Sequence, residues 1–405
     1  MQKHTLPNGV RIVLDPVTHV QSAAVGLWCQ TGSVHEHDDE AGITHLIEHM
    51  LFKGTPKRTA KEIAESIEGR GGALNAFTDK EMTCYYCRVL ADDIENGIDV
   101  LSDMMRNSLI EPDELAREEQ VVIEEIKRSE DEPESHVHDL HIESRWAGHQ
   151  LGKPIIGTRE SVAGFKSDNL KTYMSRRYRG DHVLLSVAGN FDPNDVIKWA
   201  EDRLGGITAG GEPKAFERPV GKISKQEIAK ECEQVHFCIG TDACSIYDEE
   251  IYALRVLDGL LGSGMSSRLF QEIREKRGLA YSVGSYSMNY SAGGAFTIYG
   301  GTGEATWEQV QELVMVEVNK LIHDGLVDGE LERTKRSISG HIVLALEGMN
   351  SRMTRIARNE LIFKREVPLE ETLRKLEAVT ETDVRNLAAR ILAPELLSTT
   401  AIGPF

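Results

Sequence analysis

The chain has 405 residues, 40% hydrophobic and 27% charged, a composition that excludes a disordered, collagen-like or low-complexity protein. A formal net charge of -19 argues against a partner held by its phosphate backbone, which clustered Lys and Arg would bind. The acidity would suit basic or neutral polypeptide ligands, although a solubility role alone accounts for it. The length exceeds what one hydrophobic core serves, so two domains of about 200 residues each are expected.

The N-terminus runs from a polar start into a strand-like segment through a Pro7-Asn8-Gly9 turn, without the apolar core of a secretory signal. No later stretch reaches membrane-spanning length, so no membrane partner is expected. Six cysteines (Cys29, Cys84, Cys87, Cys232, Cys238 and Cys244) are too few for a disulfide scaffold in so long a chain. Reduced thiols and a cytoplasmic location follow as the expectation.

Residues 22–32 read as a strand, after which Asp39 or Glu40 is placed to open a helix through residues 41–52. At about 100° per residue, Ile43, Leu46, Ile47, Met50 and Leu51 form one apolar stripe, and His45, Glu48 and His49 fall on the opposite side. Core histidines satisfied by backbone groups would lie within the stripe. Imidazoles at i and i+4 stack one turn apart and can converge on one Zn²⁺. Glu48 shares their face, placed to act as the base of a metal-assisted hydrolysis.

A further strand follows over residues 74–89. Cys84 and Cys87 have redox or zinc-knuckle spacing, but residues three apart on a strand point to opposite faces, which predicts buried strand positions. Residues 91–105 form an amphipathic helix, and residues 113–132 a strongly acidic one with Leu115, Val122, Ile123 and Ile126 on its buried side. Glu118 and Glu125, seven positions apart, are nearly superimposed along its axis. A catalytic zinc needs a third protein ligand, and this helix is its obvious source, although spacing does not choose between Glu125 and its neighbour Glu124. His136, His138 and His141 form a further cluster without recognisable ligand spacing, which predicts structural or solvated histidines.

The order of elements then repeats. Residues 169–191 run from helix to strand (NLKTYMSRRYRG, then HVLLSVAGNF), and residues 383–405 do the same (DVRNLAARIL, then ELLSTTAIGPF), at an offset of roughly 210 residues. Residues 234–243, 293–302 and 306–322 likewise restate the first strand, a later strand and the amphipathic helix. The Gly- and Pro-containing segment 209–222 reads as a linker between an N-terminal domain, 1–208, and a homologous C-terminal domain, 223–405. The fold class expected is α+β, each domain a mostly antiparallel sheet covered by helices.

With His-x-x-Glu-His followed by this acidic helix, the chain resembles the inverzincin peptidases of the pitrilysin and mitochondrial processing peptidase family. The resemblance implies Glu125, in VVIEEIK, as the third zinc ligand beside His45 and His49, and Glu118 as a supporting glutamate. It implies one Zn²⁺ per chain. GRGGALNAFTDKE matches the family's substrate-binding edge strand at Asn75, Ala76, Phe77 and Thr78, where main-chain pairing accommodates many peptide sequences. LFQEIREKRGLAYSVGSY matches the Arg-x6-Tyr element, which casts Arg274 and Tyr281 as holding the substrate carbonyl or the transition state. The second copy has RVLDGLLGSG in place of the metal motif, so it carries no metal. Long family members fuse two such halves, and a chain of this length therefore implies a homodimer whose Arg274 and Tyr281 face the partner's zinc. The implied activity is zinc-dependent endopeptidase action on peptides or unfolded segments; the alternative is a non-catalytic partner subunit of the same fold.

Overall fold

Residues 22–29, SAAVGLWC, are apolar on both parities, the pattern of a central strand covered on both faces. In the computed structural model, which describes residues 1–211 and 216–405, they do form such a strand; residues 212–215 of the expected linker lie outside the described residues. The chain divides into two units, and each draws on both halves of the sequence. One comprises Met1–Ile126, Lys153–Lys214 and Leu344–Val367, the other Lys127–Gly152, Ala215–Val343 and Pro368–Phe405. A repeat boundary along the chain and a compact unit in space are thus different partitions.

The sheet of the first unit contains β1 (Gln2–Thr5), β2 (Arg11–Pro16), β3 (Ser22–Cys29), β4 (Ala73–Thr78), β5 (Thr83–Leu90) and β6 (Val183–Gly189), in the order β1-β2-β6-β3-β5-β4. Only β2 and β6 pair in parallel. One face of β3 sends Val25, Leu27 and Cys29 into a core shared with Ile43, Leu46, Ile47 and Met50. Its other face sends Ala24 and Trp28 against Met349, Met353, Ile356 and Ala357. That second layer is the helix Met349–Arg358, close enough that a Cβ on Gly26 would sit 2.5 Å from Met353 Sδ. A larger residue there would have to displace the Met353 and Trp28 side chains. The same late segment carries Glu360, wholly buried, which accepts from Lys3 Nζ at 2.7 Å and Arg11 Nη1 at 3.3 Å.

The second unit repeats the plan with β7 (Lys225–Ala229), β8 (Val235–Ala243), β9 (Ala280–Asn289), β10 (Gly294–Thr302) and β11 (Ser398–Gly403), in the order β7-β11-β8-β10-β9. Among the described residues the one parallel pair of this sheet, β7 with β11, again includes the terminal strand of its copy. The helix Pro133–Arg145, from the first half of the chain, packs on β8 and β11 through Val137 against Cys238 and Ile402. Its Arg145 Nε donates to Asp242 Oδ1 at 2.8 Å and its Nη1 to Ser398 Oγ at 3.0 Å. The opposite face buries Leu254, Leu257 and Leu261 from Ile251–Leu261 and Val310 and Val314 from Trp307–His323. Both sheets are therefore mostly antiparallel and covered by helices, the α+β architecture expected.

Cys84 and Cys87 lie buried on opposite faces of β5, one in each core layer, and all six cysteines are free. No helix among the described residues is long and apolar enough to cross a membrane.

Candidate metal centre

The histidine helix spans Ile43–Met50. Ile43, Leu46, Ile47 and Met50 are completely or almost completely buried, which anchors the helix by about 2 kcal/mol per side chain. His45 is 8% exposed, and Glu48 and His49 are half-buried on the other side of the helix.

The helix does not start as the sequence suggests. Asp38–Glu40 form a separate 3-10 turn, in which Glu40 is engaged by Arg176 at 2.6 Å. The cap is Gly42, at φ 87°, whose N–H donates to Glu36 Oε2 at 2.9 Å, while the Thr44 N–H donates to Glu36 Oε1 at 2.9 Å. The Glu36 carboxylate thereby satisfies two of the first-turn donors. Burial pushes it up to about 7, against the pull of those two backbone donors. Glycine is needed at position 42 both for the left-handed backbone and because a Cβ would meet Ile156 O at 2.7 Å. Thr44 Oγ1 lies 3.0 Å from the Tyr173 hydroxyl, which is 3.1 Å from Thr31 Oγ1, so the first turn is also fastened laterally.

The acidic helix, Pro112–Asp131, buries Leu115, Glu118, Val122 and Ile126 along one stripe. Glu118 is thus a carboxylate in an apolar stripe, and it is satisfied there: its Oε2 lies 3.2 Å from His49 Nδ1 and its Oε1 2.6 Å from Lys53 Nζ. Glu125, two turns further on and more open, brings Oε2 to 3.8 Å from both His45 Nε2 and His49 Nε2. The three ligand atoms lie within 4.8 Å of one another, the one such group among the described residues, and the neighbouring glutamate that supplies its oxygen is Glu125.

This set fits zinc. Donor atoms about 2.0–2.1 Å from a tetrahedral centre stand roughly 3.4 Å apart, so the observed separations close with small side-chain movements. Burial, reinforced by the charge of His49, pushes His45 down to about 4, so at neutral pH it is an uncharged imidazole with a lone pair to give. The contact of Glu118 with Nδ1 of His49 leaves Nε2 as that ring's free donor atom, the usual outer partner of a metal-binding histidine. Glu118→Ala is accordingly expected to weaken zinc binding about 10- to 100-fold in a chelator competition.

Glu48 lies beside the trio, and its Oε2 accepts from Thr78 Oγ1 at 2.5 Å. Burial raises its pKa; the Thr78 donor and the charge of His49 lower it, and Glu125 raises it. Thr78 ends β4, the outermost strand, whose far edge has no partner strand among the described residues. Along β4, Leu74 and Ala76 share the core of the histidine helix, while Phe77 turns the other way to meet Trp28 edge-on at 5.6 Å. Asn75 is exposed, its Oδ1 accepting from the Ala76 N–H at 2.8 Å. The four substrate-strand candidates therefore divide by parity, with Phe77 spent on packing.

Arg274 and Tyr281 belong to the second unit. The Arg274 guanidinium stands 4.7 Å from the ring centroids of both Phe270 and Tyr281, and Tyr281, at the start of β9, is 77% exposed. The two residues thus form an adjacent cation and phenol. The other histidine cluster is built into a core: His138 Nδ1 lies 2.8 Å from the Tyr286 hydroxyl, and His141 Nδ1 lies 3.2 Å from Thr400 Oγ1. Burial, helped by Arg145, drives His141 down to about 3. His138 and His141 are structural histidines.

A family model described as Insulinase (Peptidase family M16) matches residues 11–159, and one described as Peptidase M16 inactive domain matches residues 164–338. A Bacillus subtilis protein described as an uncharacterized zinc protease, YmxG, is 43% identical over 398 residues, covering 98% of this chain and 96% of the relative. A protease from Helicobacter pylori superposes with a TM-score of 0.91 at 21% identity, covering 100% of this chain and 99% of that one. A chain of Complex III2 from Candida albicans does so at 0.86 and 20% identity, covering 100% and 96%. At such identities the two structures speak for the fold alone.

Proposed function

Since the chain belongs to the M16 insulinase family of peptidases, we propose that it is a zinc-dependent endopeptidase cleaving peptides or unfolded polypeptide segments. One observation carries the reading: His45, His49 and Glu125 converge with Glu48 beside them. His45, His49 and Glu125 would hold one zinc per chain, which when bound supplies Lewis acidity to a carbonyl and acidifies water. The protein's own groups do the rest. The substrate backbone adds to the free edge of β4 at Asn75, Ala76, Phe77 and Thr78, where main-chain pairing tolerates varied side chains. Glu48 accepts the proton of the attacking water and returns it to the leaving amine. Glu118 orients His49.

Arg274 and Tyr281 stabilise the oxyanion that develops on the scissile carbonyl, and they come from the partner subunit of a homodimer. The exposure of Tyr281 and its contact with Arg274 support that role. Six free thiols, five of them buried, favour a reducing compartment, the cytoplasm.

The test is cleavage of an internally quenched peptide library by the full-length protein, with metal content measured alongside. Activity should vanish with a chelator and return with stoichiometric Zn²⁺. A zinc-loaded, folded protein that cleaves no member of the library would instead indicate the non-catalytic partner subunit.

A further inference from the structure

The hydrogen bond between Thr78 and Glu48 has a counterpart in the second unit. There Ser285 Oγ, on the outermost strand β9, donates to Asp258 Oδ1 at 2.5 Å. Asp258 lies on the helix Ile251–Leu261, whose RVLDGLL stretch replaces the histidine motif in that copy. Both units thus fasten a buried helix to the edge strand of their sheet through one hydroxyl and one carboxylate. In the second unit, where no metal-ligand group occurs among the described residues, the link can only fix one element on the other.

We propose that Thr78 is a positioning residue for Glu48, its hydroxyl fixing Oε2 so that Oε1 is held toward the attacking water. The inference rests on the reading of Glu48 as the base. A glutamate carries three side-chain torsions, and a half-buried one without a fixed partner samples several rotamers. Threonine is β-branched and stiff at χ1, and Thr78 is pinned by the pairing of its backbone with Thr83 on β5. The donor is therefore a rigid point against which a flexible base is set, before substrate arrives. The site has taken up a tether that the second copy keeps for packing alone.

The experiment compares Thr78→Val, which keeps the shape and removes the donor, with Thr78→Ser, which restores it. Both are full-length proteins assayed on one quenched peptide, with zinc stoichiometry and melting temperature measured. Thr78→Val should lower kcat about 10- to 100-fold with KM changed less than about threefold, zinc stoichiometric and the melting transition intact. Thr78→Ser should recover most of that loss. The proposal is overturned if Thr78→Val keeps its kcat, if its loss appears in KM alone, if it has lost zinc or its fold, or if Thr78→Ser is equally slow. Glu48→Gln in the same assay separates the two levels of the argument. If Glu48→Gln turns over normally, the base assignment fails; if it is inactive while Thr78→Val runs at full rate, only the positioning role fails.

Discussion

Glu48→Gln should bind zinc as the unaltered chain does and turn over a peptide about 10²- to 10⁴-fold more slowly. The amide matches the carboxylate in shape and can still accept from the Thr78 hydroxyl, so the helix, the strand end and the three converging ligand atoms stay in place. What is lost is the ability to take a proton. Parallel metal analysis and steady-state kinetics distinguish this from a structural failure, which would remove zinc and activity together. Full zinc-dependent turnover by the variant would sink the assignment of Glu48 as base.

The second large effect concerns stability. Glu360→Ala is expected to destabilise the protein by about 3–5 kcal/mol, read as a lower denaturant midpoint. Glu360 is 0% exposed and its partner Arg11 only 8%, so truncation leaves a guanidinium in the interior without its anion. Lys3 is freer to turn to water, and the Asp181 carbonyl, 3.1 Å from Arg11 Nη2, offsets little of the charge. Removing both charges is a different experiment. Arg11→Met combined with Glu360→Leu should recover most of the loss, because the burial of two unlike charges is then avoided altogether. A double variant as unstable as the single one would show that shape, not charge, governs this contact.

The parts of the site that were legible in the sequence are those set by local periodicity. His45, Glu48 and His49 share a face because helical geometry puts i, i+3 and i+4 together, and the apolar stripe behind them predicts which face is buried. The acidic helix was equally clear as an element, but not in its choice of ligand. The turn around it holds two adjacent carboxylates, Glu124 and Glu125, and only the family pattern pointed to Glu125. Glu36 was out of reach, because its carboxylate doubles back on a helix start made by a left-handed Gly42, and no periodic rule links those positions. The parity of β4 was readable in principle from alternation, yet which side Phe77 takes depends on Trp28 in another strand. Amphipathic helices reveal that a face is buried and not what buries it. That is why the placement of Pro133–Arg145 on β8 and β11, and of Met349–Arg358 under β3, had no signature in either segment.

Synthesis runs from the N-terminal side, so the placement of Met349–Arg358 also sets a timetable. The sheet β1–β6 is complete as a set of strands once residue 189 has left the ribosome, but one of its faces, with Ala24, Trp28 and Leu184, is covered only by residues that come much later. Until residue 367 emerges, the nascent first unit carries an open apolar face. Its closure waits for residues far along the chain from β6, and a chain stalled or cleaved before that point would present that face to chaperones and proteases.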